Sequence, residues 1–273
     1  MSVKYDSFRF SGKQLVDYER DNVEFAKSFG PNCDDKKCFQ KLDEKQLLEK
    51  IPDPWKKDLT LSLPSVGEEK PHDFLVVDGG ILKEDPRKIW DKEGSLSTRL
   101  VIGTTAHAAY DPLKPGAFNP NMTAEEVRKY VSESLIGASN LTDQALQLYG
   151  ETVQGLIAMI SDIRIVCPLL VLANSQNHVP FYIATQTQGE LNVADIDSDI
   201  QAILGRYNSE TPAKRRYLDA LRNEFYYFVY HGKINHYSFQ HFILVINQDM
   251  LPQSDYTNCN FWIKENFVPH YAA

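Results

Sequence analysis

An α/β fold built on a mostly parallel sheet is what this sequence predicts, and three observations lead there. Short apolar strand candidates alternate with helical segments along the chain, which is the pattern of βα units rather than of a bundle or a sandwich. The candidates at 74–77, 99–102 and 181–185 lack in–out alternation, so they read as strands buried on both faces. The composition agrees: 42% of 273 residues are hydrophobic and the formal net charge is -8, enough for a sizeable core and too little charge for disorder.

The elements follow in order. A first helix is predicted over 13–28, with Leu15, Val16, Tyr18, Val23, Phe25 and Ala26 as its apolar positions. The polar loop between Cys33 and Cys38 ends it, and a short second helix at 42–51 stops before Pro52 and Pro54. Strand 74–77 runs into Asp78-Gly79-Gly80, a turn rather than a phosphate cradle because no helix N-terminus follows to donate amides. Strand 99–102 is predicted to end at a turn led by Gly103-Thr104-Thr105, the kind of place where α/β sheets put functional loops. Thr123 and Glu126 form a capping box, and Val127, Tyr130, Val131 and Leu135 follow at helical spacing.

Segment 163–172 is apolar nearly all round and reads as a buried helix, with Pro168 kinking it or opening its first turn. After strand 181–185 a long helix covers 212–230 and is closed by Gly232. A last apolar segment, 239–246, leads towards Cys259 and Trp262. Three strands of a central type, with no further strand candidates, make an unfinished sheet. The expectation is that its other strands lie outside this chain.

Several function classes are excluded. No stripe of Lys and Arg interleaved with aromatics marks a nucleic-acid surface; pairs such as Arg215-Arg216 are isolated. The longest apolar run, 165–173, is far short of the ~20 residues a membrane-spanning helix needs. The first residues, Met1 to Asp6, contain no apolar signal region, so any membrane attachment or targeting is expected through a segment outside this chain. Cys33 and Cys38 suit a small surface disulfide, but the four cysteines allow three pairings and the sequence does not choose among them. Two sequons, at Asn121 and Asn140, favour an oxidising, extracellular setting over four reduced thiols.

The search for chemistry returns little. The chain has no GxSxG elbow, Walker loop, GxGxxG, HExxH or EF-hand pattern. His231, His236 and His241 recur at five-residue steps and share no helical face. His107 follows Gly103 but has no acid within three residues on either side. Asp195, Asp197 and Asp199 alternate with Ile196, Ser198 and Ile200, which a solvated loop explains better than a calcium edge. Neither a metal nor a cofactor is expected.

Taken in order, these segments resemble the cholinesterase-like carboxylesterases, the type-B family of α/β-hydrolases. Phe74 to Gly80 resembles the family's PVVDG strand, and Arg99 to Thr105 resembles the strand leading to the triad acid. Ile163 to Pro168 is similar to its VxCP helix, Phe181-Tyr182-Ile183 to its VYxYxF strand, and Asn223 to Gly232 to its W-x-N-F-x-x-x-G helix end. The resemblance implies the carboxyl-terminal half of an α/β-hydrolase domain, a mixed but mostly parallel sheet flanked by helices, spanning 1–273 as a partial domain. It also implies the bridges Cys33–Cys38 and Cys167–Cys259.

The same resemblance removes the activity. The family's Gly-x-x-x-x-Glu-Gly appears here as Gly103 to Ala109, placing Ala108 where the acid belongs. The stretch ending Ile203-Leu204-Gly205 places Ile196 or a neighbour where the catalytic histidine belongs. Triad members act as a unit, so loss of two removes most of the rate enhancement. Members without a triad are the cholinesterase-like adhesion molecules. The resemblance therefore implies a catalytically inactive module at the extracellular face of the plasma membrane. Its partner would be a cell-surface or secreted immunoglobulin-domain protein, and its anchor a segment on the amino side. The competing reading is a fragment of an active carboxylesterase with His107 or a nearby acid in a displaced triad.

Overall fold

The computed structural model describes residues 13–31, 33, 36–52, 55, 61–68, 76–84, 88–89, 99–114, 118–175, 179–235, 243–253 and 255–268. They belong to two compact units: residues 8–58 with 69–89, and residues 59–68 with 90–273, the latter also taking in the first seven residues.

In the smaller unit, β1 (Lys13–Gln14) pairs in parallel with β2 (Val76–Val77). The predicted first helix therefore starts later, as α1 (Leu15–Lys27), because the two residues before it are spent on the strand. Phe25, Phe29, Phe39 and Trp55 pack ring against ring, gathering α1 and α2 (Lys36–Phe39) into a small core. The Cys33–Cys38 disulfide closes the intervening loop. Helix α3 (Glu44–Lys50) carries a full capping box between Asp43 and Gln46. Phe74 and Leu75, predicted as strand, lie outside the described residues.

The larger unit holds a four-stranded sheet. Strands β3 (Ile102–Thr105), β4 (Phe181–Ala184) and β5 (Ile243–Ile246) run parallel, and β6 (Met250–Gln253) is antiparallel on β5. All residues of β3, β4 and β5 are buried, as the unbroken apolarity of 181–185 predicted for β4. Three expectations change. The strand predicted at 99–102 starts at Ile102, and Gly103 lies inside it rather than at a turn. The three predicted strands do not share one sheet, since β2 belongs to the other unit. The larger sheet gains β5, which lies in the segment 239–246 read as merely apolar, and β6, which the sequence reading did not mark. β6 contains Pro252, and proline, which has no N–H to donate, is tolerated on a strand at the end of a sheet's order.

Helices α4 (Ala124–Ser132), α5 (Leu135–Ala138) and α6 (Thr142–Tyr149) follow β3. Thr123 and Glu126 cap α4 reciprocally, as expected. Then α7 (Val153–Ser161), a π turn (Asp162–Val166) and α8 (Cys167–Ser175) form one continuous rod. Pro168 has no N–H for the carbonyl four residues back, and the wide turn beside it, closed by Cys167 N–H on the Asp162 carbonyl, re-registers the ladder. The rod also corrects the reading of membrane segments. Val153–Asn174 has 22 residues and contains an 18-residue window with a mean hydropathy of 2.2, long and apolar enough to cross a bilayer. Unbroken apolar runs missed it because Ser161, Asp162 and Arg164 interrupt it. In the fold 83% of its apolar window is buried, as befits a core helix.

The interrupting residues are paired. Arg164, fully buried, grips Glu68 with two hydrogen bonds of 2.7 and 2.8 Å and donates to the Ser62 carbonyl at 3.0 Å. Asp162 accepts from the Tyr149 hydroxyl at 2.7 Å and from Asn258 Nδ2 at 2.9 Å. Trp262 Nε1 donates to the same tyrosine at 2.8 Å. With the Cys167–Cys259 disulfide, this network fixes α11 (Thr257–Lys264) to the rod. Burial pushes the Asp162 carboxyl up to about 7.

After β4, α9 (Ser198–Ile203) and α10 (Pro212–His231) pack on each other, and α10 packs on β5. Gly232 ends α10 at φ 66, as predicted. A Cβ there would collide with the Arg99 side chain, whose guanidinium donates to the His231 carbonyl at 3.1 Å.

Candidate functional site

The place to look for chemistry is where β3 and β4 deliver the chain to loops, since both predicted triad positions lie there. Thr104 and Thr105 end β3, and Ala106 N–H still reaches the Ala184 carbonyl at 2.9 Å. His107, Ala108, Ala109 and Tyr110 then turn away and meet the second loop, Val193 to Asp197. Contact is made by backbone. His107 N–H donates to the Ala194 carbonyl at 3.1 Å, and Ile196 N–H donates to the Tyr110 carbonyl at 3.0 Å. A third bond closes the set: Ala194 N–H donates to His107 Nδ1 at 3.1 Å.

That bond fixes the imidazole's chemistry. An Nδ1 that accepts cannot carry the proton, so the neutral ring bears it on Nε2. In a triad the base offers Nδ1–H to a carboxylate; His107 instead uses Nδ1 to receive a loop amide. Burial holds its pKa down to about 4, so the ring stays neutral at ordinary pH. Ala108 and Ala109 are buried. Ala109 N–H donates to Ser161 Oγ at 3.0 Å, and that hydroxyl donates to the Ile157 carbonyl at 2.7 Å. The serine is thus committed on both sides. Ile196 is buried too.

The acids around Ile196 have separate tasks. Asp195 accepts from Gln188 Nε2 at 2.9 and 3.1 Å, and burial raises its carboxyl to about 6. Asp197, at φ 63, is the N-terminal boundary of α9. Asp199 is buried, accepts the Tyr182 hydroxyl at 2.7 Å, and has a pKa raised by burial. Gly103 makes room for that tyrosine: a Cβ there would lie 1.9 Å from its ring. Among the described residues no three His, Cys, Asp or Glu side chains gather to hold a metal.

The other candidates are scattered. His231 lies against Tyr227 at the end of α10, with ring centroids 4.3 Å apart and the planes tilted by 42°; His236 and His241 lie outside the described residues. Asn121 and Asn140 are both exposed. A cleft of about 280 Å³ between the sheet and α10 is lined by Val101, Tyr182, Leu221, Phe228, Leu244 and Ile246 among others. It is mostly apolar, with Arg99 and Glu224 as its charged members.

Sequence reasoning missed how His107 is used. It looked for an acid nearby in sequence, whereas the partner is a backbone amide 87 residues away.

No family model matches the chain. It is 37% identical over 267 residues to the curated protein Neurotactin of Drosophila melanogaster, an alignment covering 96% of this chain and 31% of the relative. The chain thus spans about a third of that relative's length. Among solved structures it superposes on a PNB esterase with a TM-score of 0.57, at 13% identity, over 89% of this chain and 53% of that one. At such identity the likeness is one of fold.

Proposed function

The chain is neurotactin-like along nearly its whole length and has the fold of an α/β-hydrolase, and on that premise we propose that it is a catalytically inactive, cholinesterase-like adhesion module. It acts at the extracellular face of the plasma membrane and binds a cell-surface or secreted immunoglobulin-domain protein. Its anchor lies elsewhere in the protein that carries it.

One observation carries this reading. The positions that the resemblance assigns to the triad's acid and histidine carry Ala108 and Ile196, both buried. The nearest imidazole, His107, spends its Nδ1 on a loop amide. Such an arrangement fixes two loops against each other; it does not relay a proton. The two disulfides and the exposed sequons Asn121 and Asn140 support an extracellular address.

The adhesion half is tested with cells displaying the natural protein that contains this chain. They are mixed with beads bearing a panel of immunoglobulin-domain ectodomains. Retention of at least one bead type, lost when this chain is deleted from the protein, is the expected result. Equal bead binding with and without the chain would contradict the proposal.

A further inference from the structure

Among the described residues, three buried side-chain oxygens without a hydrogen-bond partner sit in one place. They are Ser198 Oγ at the start of α9, the Tyr207 hydroxyl in the loop after it, and the Tyr217 hydroxyl on the inner face of α10. Ser198 and Tyr217 are fully buried and Tyr207 nearly so. Tyr182, Tyr207 and Tyr217 belong to one core cluster, and the rings of Tyr207 and Tyr217 lie 5.2 Å apart.

Two buried carboxylates lie among these hydroxyls. Ser198 N–H donates to the Asp195 carbonyl at 3.3 Å, and Asp199 accepts the Tyr182 hydroxyl at 2.7 Å. Burial raises the Tyr217 phenol, and Asp199, Tyr207 and Asp195 raise it further. Burial and then Asp195 raise the phenol of Tyr207. Ser198 Oγ acts on both Asp195 and Tyr217 while meeting neither at full hydrogen-bonding geometry. The hydroxyls therefore surround the two acids without bonding to them.

The chemistry selects the ligand. Each hydroxyl has one hydrogen to place and can also accept, and a buried one left unpaired is costly. A metal cation would take lone pairs and leave those hydrogens without acceptors. A water molecule offers two acceptor sites and two donors. It accepts from Tyr207 and Tyr217 and donates to the carboxylates, which keep lone pairs beyond the bonds from Gln188, Tyr182 and the Ile200 amide. Walls made of several polar groups are what a buried water requires.

We propose that the fold encloses one ordered water molecule that joins the hydroxyls of Ser198, Tyr207 and Tyr217 to the carboxylates of Asp195 and Asp199. The water is a joint, tying the loop after β4 and the start of α9 to α10. It is independent of the adhesive role proposed above.

A crystal structure of the natural protein that contains this chain, grown once in sodium chloride and once in rubidium chloride, tests it. The expected result is a density peak within about 3.2 Å of at least three of the five groups, refining as water in both crystals, with no anomalous signal at the rubidium edge. A rubidium signal there, or no peak at that position, would overturn the proposal. In solution, Tyr207→Phe and Tyr217→Phe keep both rings and each remove one hydroxyl. Each is expected to raise the unfolding equilibrium constant about tenfold. The two together should raise it by well under the product of the single effects, because both disturb the same water. Single effects that multiply in full would place the hydroxyls in separate environments and overturn it as well.

Discussion

His107 Nδ1 accepts the Ala194 amide proton at 3.1 Å while its own N–H donates to the Ala194 carbonyl at 3.1 Å. One residue therefore pairs with another through both main chain and side chain, joining the loop after β3 to the loop after β4. The imidazole here is a structural strut between two loops, and its protonation would break the strut.

That gives the first prediction. The His107 pKa is depressed to about 4 in the fold against 6.5 in the open chain. The unfolded state then binds the extra proton first, so this group's stabilisation is complete above pH 6.5 and is lost as pH falls towards 4. The loss reaches about 3 kcal/mol. His107→Asn keeps an acceptor near the Nδ1 position but does not titrate. Urea denaturation of both proteins at pH 7.5 and 4.5 should show the wild type losing more stability than the variant.

Asp162 works in the opposite sense. Burial raises its carboxyl to about 7 from 3.8, so its contribution is greatest below pH 4 and is lost as pH rises to 7. Asp162→Asn retains an oxygen for Tyr149 and Asn258. The stability of the variant relative to wild type should therefore rise between pH 4 and 7 and then level off. Parallel curves across that range would refute the assignment.

Gly103 is required by packing. Its Cβ would meet the Tyr182 ring at 1.9 Å, and that ring is held in place by its hydroxyl on Asp199. Gly103→Ala should destabilise by about 3 kcal/mol. Tyr182→Leu in the same chain should recover part of the loss, as measured by denaturant midpoint.

Arg164 and Glu68 make a buried pair with two bonds. Glu68→Gln leaves a buried guanidinium uncompensated and should cost about 3–5 kcal/mol, whereas the double replacement Arg164→Met with Glu68→Leu should cost much less. Equal losses in the two proteins would show that the pair is not the cause.

The sequence made legible the parts that rest on local chemistry. The capping box at Thr123, the glycine stop at Gly232 and the buried strand β4 follow from side-chain pattern over a few residues. What escaped depends on partners far along the chain. β6 is a strand because β5 offers it a ladder. The 22-residue rod was hidden by Asp162 and Arg164, whose burial makes sense once Tyr149, Asn258 and Glu68 are in place. At the candidate site the sequence placed Ala108 and Ile196 by resemblance, and the structure puts their loops in hydrogen-bonded contact. The commitment of His107 to a distant amide left no trace in its neighbours.

The central claim is that this fold has been kept while its proton-transfer groups have not. The most direct measurement is turnover of a p-nitrophenyl ester by the natural protein that contains this chain, with and without an organophosphate that labels activated serines. The expected result is hydrolysis no faster than buffer and no label incorporated. Turnover above background that the organophosphate abolishes, with a labelled serine recovered, would contradict it.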